Sequence, residues 1–272
     1  MTVSRAYGAA SPARLLPLAY PWVQQAEASG GYWSAGRLSA AAALVAAARA
    51  GDVVRLKALL LAERTQFGMV VETGDRIVAM VDRVHGYPLF VKEQSGQAEL
   101  AHDPTPWIDE LGAAAFDERQ AHLYVLTGYC IGRNTLFRPV TRLLPGEFVI
   151  LDKRSGLVER HRYYRLEPRF DGEDSPSGWR RRLGEALDAA VDRTIDQANG
   201  SRIWLSLSAG YDSRVILGKL LERGYKDLST FSYGEAGNME ARVARDLADS
   251  VDVPWQFVAS QGEAEIRDFW QG

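Results

Sequence analysis

The sequence predicts an α+β domain followed by an α/β domain with a parallel sheet. In the first half, short apolar runs separated by turns that contain Gly or Asp are typical of strands, beginning at FGMVV (67–71). In the second half, strands alternate with helical stretches of roughly 10–15 residues, which favours parallel strands with right-handed crossovers. Residues 167–178, rich in Pro, Gly, Ser and acids, are the predicted linker.

The composition is that of an ordinary folded protein and excludes several classes. The 272 residues carry a net charge of −3 and a single cysteine, Cys130, so neither an internal disulfide nor a four-thiolate metal site can form. A near-neutral charge disfavours a large nucleic-acid footprint. The longest strongly apolar run, 40–48, is about half of the ~20 residues that span a membrane. We therefore expect a cytoplasmic protein with no nucleic-acid or membrane partner.

The first half is predicted to contain a helical extension and a β-rich domain. Residues 1–64 form the extension, whose Ala- and Leu-rich hairpin breaks at Gly51. Residues 65–166 form the β-rich domain, in which four short strands make a meander and a helical stretch follows near 107–125. A strand at 148–152 then pairs through a turn with residues 159–161. The four strands of the meander are FGMVV, IVAMVD, PLFVK and AELAH.

The second domain is predicted to occupy residues 179–272 and to be an incomplete α/β sheet. Three apolar strands, IWLSL, LSTFSY and WQFVA, alternate with helices. The helices are expected near 178–198, from the turn after the first strand to Arg223, near 239–250, and from the third strand to the C-terminus. A parallel sheet of three strands leaves an open edge unless further residues or a partner cover it.

The string LSLSAGYDSR (205–214) is the candidate binding motif of the sequence. Small residues join a buried strand to a helix N-terminus, so backbone N–H groups, the helix dipole and the hydroxyls of Ser208 and Ser213 can attract a phosphate. An acid at Asp212 is then expected to hold a divalent cation that bridges phosphate oxygens. The spacing fits neither the Walker A pattern nor GxGxxG. The alternative is a tight turn whose Ser and Asp side chains merely cap the helix.

The hexapeptide SAGYDS resembles the PP-loop SGGxDS of ATP pyrophosphatases, which cleave ATP between the α- and β-phosphates to adenylate a substrate. Ala209 replaces a Gly of that pattern, which is compatible with pyrophosphate binding if its φ is negative. The segments TFSYG and NMEARVARDLADSVDVPWQFV are similar to the next strand and helix of the asparagine synthetase family. FGMVVETGDRIVAMVDRVHGYPLFV and GRNTLFRPVTRLLPGEFVILD resemble the glutaminase domain of the same family.

This resemblance implies an Ntn-hydrolase-like (glutaminase-like) domain followed by an incomplete PP-loop domain of the adenine nucleotide α-hydrolase-like type. The implied activity is that of an ATP-dependent amide-forming ligase. A small-molecule carboxylate is adenylated with release of pyrophosphate, and ammonia or an amine then attacks it. The implied ligands are ATP and Mg²⁺. The resemblance assigns pyrophosphate to Ser208, Ala209, Gly210, Tyr211, Asp212 and Ser213, the metal to Asp212, and the adenosine to Leu207, Ser232 and Tyr233.

The first domain departs from the family pattern in a way that predicts no glutaminase activity. That reaction uses a cysteine at the mature N-terminus, and this sequence begins Met1-Thr2. Cys130 is expected to be a buried hydrophobe instead. The resemblance also implies that Asp82 and Arg83 form a buried structural pair. No metal-ligand spacing is present around the histidines, which are His85, His102, His122 and His161.

Three alternatives follow from the missing remainder of the second domain. The chain is a fragment, a frameshifted product, or one half of an enzyme that a second polypeptide completes, and a homo-oligomer is left open.

The competing function is a non-catalytic module of the same family that binds a nucleotide or a partner. A PP-loop enzyme that modifies tRNA is a third hypothesis, which the net charge of −3 disfavours.

Overall fold

A computed structural model describes residues 11–19, 21–25, 31–168 and 175–259. The chain divides into two compact units, Met1–Pro168 and Arg169–Gly272, and the division falls within the predicted linker. Helices and several sheets together give a mixed α+β protein. In the described ranges no helix combines the length and apolar character needed to cross a membrane.

The first unit contains two sheets. The six-stranded sheet is antiparallel throughout, in the order β10-β9-β5-β4-β3-β2. The four-stranded sheet has the order β1-β7-β6-β8, with β1 parallel to β7 and the other pairs antiparallel. The strands are β1 Ala13–Leu15, β2 Val23–Gln25, β3 Tyr32–Gly36, β4 Phe67–Glu72, β5 Arg76–Val81, β6 Phe90–Gln94, β7 Gln97–Ala101, β8 Val140–Arg142, β9 Glu147–Asp152 and β10 Val158–Arg162.

Helices cover the outer faces of both sheets, so this unit has four layers. Alternating side chains of β5 separate the layers: Ile77 and Ala79 fill the core between the sheets, whereas Val78 and Met80 face the first two helices. A smaller cluster around Trp107 joins the four-stranded sheet to the third helix. The helices are α1 Ala41–Ala50, α2 Val53–Ala62, α3 Thr105–Leu111 and α4 Glu118–Thr127.

The structure corrects three predictions for this unit. The described part of 1–64 is not a separate helical extension, because β3 pairs with β4 and both helices pack on the same sheet. The four meander strands belong to two sheets, since β4 pairs with β5 while β6 pairs with β7. The helical stretch near 107–125 is interrupted at Gly112, whose φ of 62° ends α3 before a 3-10 turn and α4.

A fourth correction concerns Asp82 and Arg83, which are neighbours in sequence but not a pair in space. The Asp82 carboxylate is buried and accepts hydrogen bonds from backbone N–H groups. The Arg83 guanidinium instead donates to the carbonyl of Leu61 and lies 4.6 Å from the ring centroid of Tyr164. Both residues therefore have structural roles, but they contact different partners.

The second unit contains the expected parallel sheet, in the order β11-β12-β13. Its core brings together apolar side chains from the strands and from three helices, with Leu207, Leu217 and Ala244 at its centre. The predicted helix after the third strand falls outside the described residues. The elements are α5 Pro176–Ala198, β11 Ile203–Ser206, α6 Tyr211–Glu222, β12 Leu228–Gly234, α7 Met239–Ser250 and β13 Trp255–Ala259.

Buried Glu63 ties the end of α2 to the segment before α1. Its carboxylate accepts hydrogen bonds from the hydroxyls of Ser39 and Thr65, each at 2.7 Å, and from their backbone N–H groups at 2.9 and 3.3 Å. Burial by itself raises the pKa of Glu63, but the hydrogen bonds from Thr65 and Ser39 outweigh it and hold the pKa below its ordinary value.

This lowered pKa predicts a loss of stability in acid. A depressed carboxyl pKa contributes stability that is complete above the unfolded value of about 4.3 and is lost as the pH falls through the folded value. The free energy of unfolding, measured with urea, should therefore fall more steeply below about pH 4.3 for the wild type than for Glu63→Gln. Parallel pH profiles for the two proteins would contradict this role for Glu63.

Candidate functional site

The loop between β11 and α6 is held by its own two serines. The backbone N–H of Ser208 donates to Oγ of Ser213 at 3.1 Å, and the N–H of Gly210 donates to Oγ of Ser208 at 3.1 Å. The two hydroxyl oxygens are also 3.1 Å apart. Because both hydroxyls are engaged inside the loop, attraction of an anion here depends mainly on backbone N–H groups and the helix dipole.

The N-terminus of α6 has no side-chain cap. Gly210 is the N-cap residue, with φ −74° and ψ 162°, and no side chain accepts a hydrogen bond from the first turn. Helices α2, α5 and α7 differ, since Asp52, Ser175 and Asn238 cap them. Helices α1 and α3 also lack a side-chain cap, so its absence is not unique to α6, but neither a Ser nor an Asp side chain caps α6 as the simple capping turn would require. Its first-turn N–H groups have no side-chain acceptor and can receive an anion.

Ala209 does not have a positive φ, which was the condition for pyrophosphate binding with alanine at this position. The non-glycine residues with positive φ in the described ranges are His85, Ser95, Asn199 and Asp252, so Ala209 is outside the left-handed region. The methyl group consequently imposes no backbone strain on the loop.

Arg214, in the first turn of α6, contacts the loop in a way that the sequence reasoning missed. Its Nη2 donates to the carbonyl of Ala209 at 2.8 Å, and its guanidinium lies 5.8 Å from the ring centroid of Tyr211. Arg214 thus braces the loop from within the helix. The sequence shows only that Arg214 directly follows Ser213. A hydrogen bond to a backbone carbonyl cannot be predicted from residue spacing.

The residues assigned to adenosine lie at the carboxyl ends of β11 and β12, but their side chains differ in exposure. The side chain of Leu207 is buried in the core. Buried Ser232 donates to the carbonyl of Leu207 at 2.7 Å and accepts from Nε1 of Trp255 at 3.0 Å. Tyr233, by contrast, is 69% exposed. The side chain available to a ligand here is therefore that of Tyr233, while Ser232 links Leu207, directly after β11, to Trp255, the first residue of β13.

Asp212 lies in the first turn of α6 with its side chain exposed. The described residues contain no group of three His, Cys, Asp or Glu side chains that could hold a metal by themselves. Magnesium keeps several waters and is typically bound by one or two carboxylates together with substrate phosphates. One exposed carboxylate beside an uncapped helix end fits that mode of binding, with the phosphates as the remaining ligands.

Cys130, the only cysteine of the sequence, lies half-buried in the first unit. Burial raises the pKa of Cys130, partly offset by the charge of Arg142, so the thiol is protonated at neutral pH. The ring of His161 stacks on Phe148 at a centroid distance of 4.8 Å, a packing role. Nε2 of His85 is buried without a hydrogen-bond partner, and burial together with Arg142 lowers its pKa.

The chain was compared with protein families, curated proteins and solved structures. No protein-family model matches the chain, and no curated protein matches its sequence. Similar solved structures include the B. subtilis glutamine phosphoribosylpyrophosphate amidotransferase complexed with ADP and GMP, at 11% identity and a TM-score of 0.29 over 86% of this chain. The allosteric regulatory enzyme of purine biosynthesis gives the same three values. The chain spans 47% and 46% of their lengths. Likenesses this weak carry no argument about activity.

Proposed function

We propose that the second unit binds ATP with Mg²⁺ at Ser208–Ser213 and belongs to an asparagine synthetase-like ligase. In this reaction a small carboxylate attacks the α-phosphate of ATP and pyrophosphate leaves. Ammonia or an amine then attacks the acyl carbon of the acyl adenylate, which forms the amide and releases AMP. The observation that carries the proposal is the uncapped N-terminus of α6, preceded by a loop of small residues and followed at once by Asp212. The resemblance to the PP-loop names the phosphate group that this arrangement would hold.

Each residue of the loop has a defined part in this proposal. The first-turn N–H groups of α6 donate to pyrophosphate oxygens, and the helix dipole favours the negative charge. Ser208 and Ser213 fix the loop through each other, while Arg214 holds the carbonyl of Ala209. Asp212 is the protein ligand for Mg²⁺, which when bound neutralises charge on the phosphate oxygens. Tyr233, whose side chain is exposed, is proposed to cover the adenosine.

The first unit is proposed to be a glutaminase-like domain without glutaminase activity. Cys130 is the only cysteine of the sequence, and burial raises the pKa of its thiol. The thiol is therefore a poor nucleophile at neutral pH. The nitrogen donor is then ammonia or an amine supplied from solution or by a partner. Glutamine should release no ammonia when incubated with this protein.

Calorimetry with ATP and Mg²⁺ tests the nucleotide site. The folded chain should bind ATP, and inorganic pyrophosphate should compete because the loop recognises that part of the nucleotide. AMP, which lacks the β- and γ-phosphates, should bind at least tenfold more weakly, equivalent to about 1.4 kcal/mol. No heat with ATP in a folded sample would overturn the proposal, as would equal affinities for ATP and AMP.

The substitution Ala209→Gly should change the affinity for ATP by less than about twofold. The reason is that Ala209 already avoids positive φ, so glycine removes no strain. Titration of both proteins with ATP and Mg²⁺ gives the comparison. An increase of tenfold or more in affinity would show that the alanine methyl group blocks the phosphate.

A second candidate function is a non-catalytic module that binds a protein partner. The observation favouring it is the face of the three-stranded sheet opposite the core, where Trp204 is 51% exposed and Tyr233 and Val258 are also exposed. The core of the described second unit lies on the other face. Parallel sheets are usually covered on both faces, so a partner polypeptide could cover this one. Absence of ATP binding in a folded sample would favour this candidate.

A further inference from the structure

A cavity of about 390 Å³ lies in the first unit, and its lining includes no residue assigned to the nucleotide. It is formed between α3, α4 and the segment that follows α4, over Phe90 of the four-stranded sheet. Ligand pockets commonly have about 300–1,000 Å³, so this cavity suits a small molecule. Its lining comprises Phe90, Pro104, Ile108, Tyr124, Gly128, Tyr129, Cys130, Asn134, Thr135, Leu136, Phe137 and Arg142.

The walls combine an apolar interior with one fixed positive charge. Aromatic and aliphatic side chains dominate the lining, and it contains no carboxylate. Arg142 is the only charged residue of the lining. Within the described ranges no carboxylate pairs with it, whereas Arg133 beside it is paired with Glu147 at 2.8 Å.

Arg142 is held in place by the backbone of the segment that forms one wall. Its Nε donates to the carbonyl of Gly132 at 2.8 Å, and its Nη2 donates to the carbonyl of Cys130 at 3.1 Å. These neutral acceptors orient the guanidinium without neutralising it. A planar cation that is fixed in this way and lacks an acidic partner favours a carboxylate, with which it can form charge-assisted hydrogen bonds.

We infer that this cavity binds a small carboxylic acid with an aromatic or branched apolar body, its carboxylate on Arg142 and its body among Phe90, Tyr124 and Phe137. The apolar walls supply the burial of the body, and the arginine supplies orientation and selectivity for an anion. The site shares no residue with the proposed nucleotide site, because all its residues belong to the first unit.

Cys130 gives a direct readout, since it is the only cysteine in the sequence and lines the cavity. The probe is 3-phenylpropanoate, compared with its uncharged amide, 3-phenylpropanamide. Alkylation of Cys130 by iodoacetamide, followed by intact-mass measurement, should slow at least fivefold at saturating acid. The amide should need at least tenfold higher concentration for the same protection. No protection by the acid at 10 mM (roughly ten times a weak 1 mM Kd), or equal protection by acid and amide, would overturn the inference.

A matched pair of variants assigns the selectivity to the arginine. Arg142→Gln should raise the protecting concentration of the acid at least tenfold and leave that of the amide unchanged. Arg138→Gln is the control, because Arg138 also donates to two backbone carbonyls, those of Ala114 and Phe116, but does not line the cavity. An equal effect of both variants would contradict the role of Arg142. If Arg142→Gln does not fold, the comparison of acid and amide on the wild type decides.

Discussion

Replacement of Asp212 by alanine should weaken the binding of ATP in the presence of Mg²⁺ by at least tenfold, about 1.4 kcal/mol. The exposed carboxylate lies in the first turn of α6, where an anion is expected, and is the one protein ligand assigned to the metal. Its removal takes away a ligand from the Mg²⁺ that links protein and phosphates. Calorimetric titration of wild type and variant with ATP and Mg²⁺ measures the effect.

The same variant should behave oppositely when the metal is removed. In EDTA the Asp212 carboxylate only repels the phosphates, so Asp212→Ala should bind ATP as well as the wild type or more tightly. Asp249→Ala, which removes an exposed acid from α7, should leave ATP binding unchanged under both conditions. An equal loss of affinity with and without Mg²⁺ would show that Asp212 acts on the structure of the loop and not through a metal.

Replacement of Asp82 by alanine should lower the free energy of unfolding by about 3–4 kcal/mol, the largest effect on stability that we expect from one residue. Asp82 is 1% exposed. Its carboxylate accepts from the backbone N–H groups of Val84 at 2.6 Å and of Phe67 and Gly86 at 3.0 Å. Alanine would leave these three donors without an acceptor, at about 1–3 kcal/mol for each one that stays buried.

Urea unfolding measures this effect against Asp109→Ala, a control that removes an exposed acid from α3. The control should change stability by no more than about 0.5 kcal/mol. A similarly small change for Asp82→Ala would mean that water or a shifted backbone satisfies the three N–H groups. That result would contradict the role assigned to the carboxylate in joining β4 to the turn after β5.

Strands β4–β7 and β9–β13 were predictable because their apolar runs are local, whereas β1–β3 and β8 were not predicted. The runs FGMVV and WQFVA lie in β4 and β13, and the parallel sheet of the second unit was predictable from the alternation of strands and helices. Partners distant in sequence were not predictable. The pairing of β3 with β4 joins residues that are roughly 30–40 positions apart, from Gly36 with Phe67 to Tyr32 with Val71. Local periodicity does not report a contact over such a separation.

The candidate site was predictable as a motif but not in its internal contacts. The spacing of SAGYDS places a loop of small residues before a helix, and the structure has that arrangement. The sequence did not reveal that Ser208 and Ser213 bond to each other, or that the Ser232 hydroxyl is taken up by Leu207 and Trp255. Small hydroxyl side chains find partners according to distances of a few tenths of an ångström, which spacing alone does not define.

The central claim is that the first turn of α6 and the loop before it bind the phosphates of ATP. Backbone ¹H–¹⁵N spectra recorded during titration with ATP and Mg²⁺ test this most directly. The account predicts that the largest shifts fall on the amides of Ser208–Arg214, and that inorganic pyrophosphate shifts the same amides. Binding of ATP that leaves these amides unchanged while others shift would contradict the account.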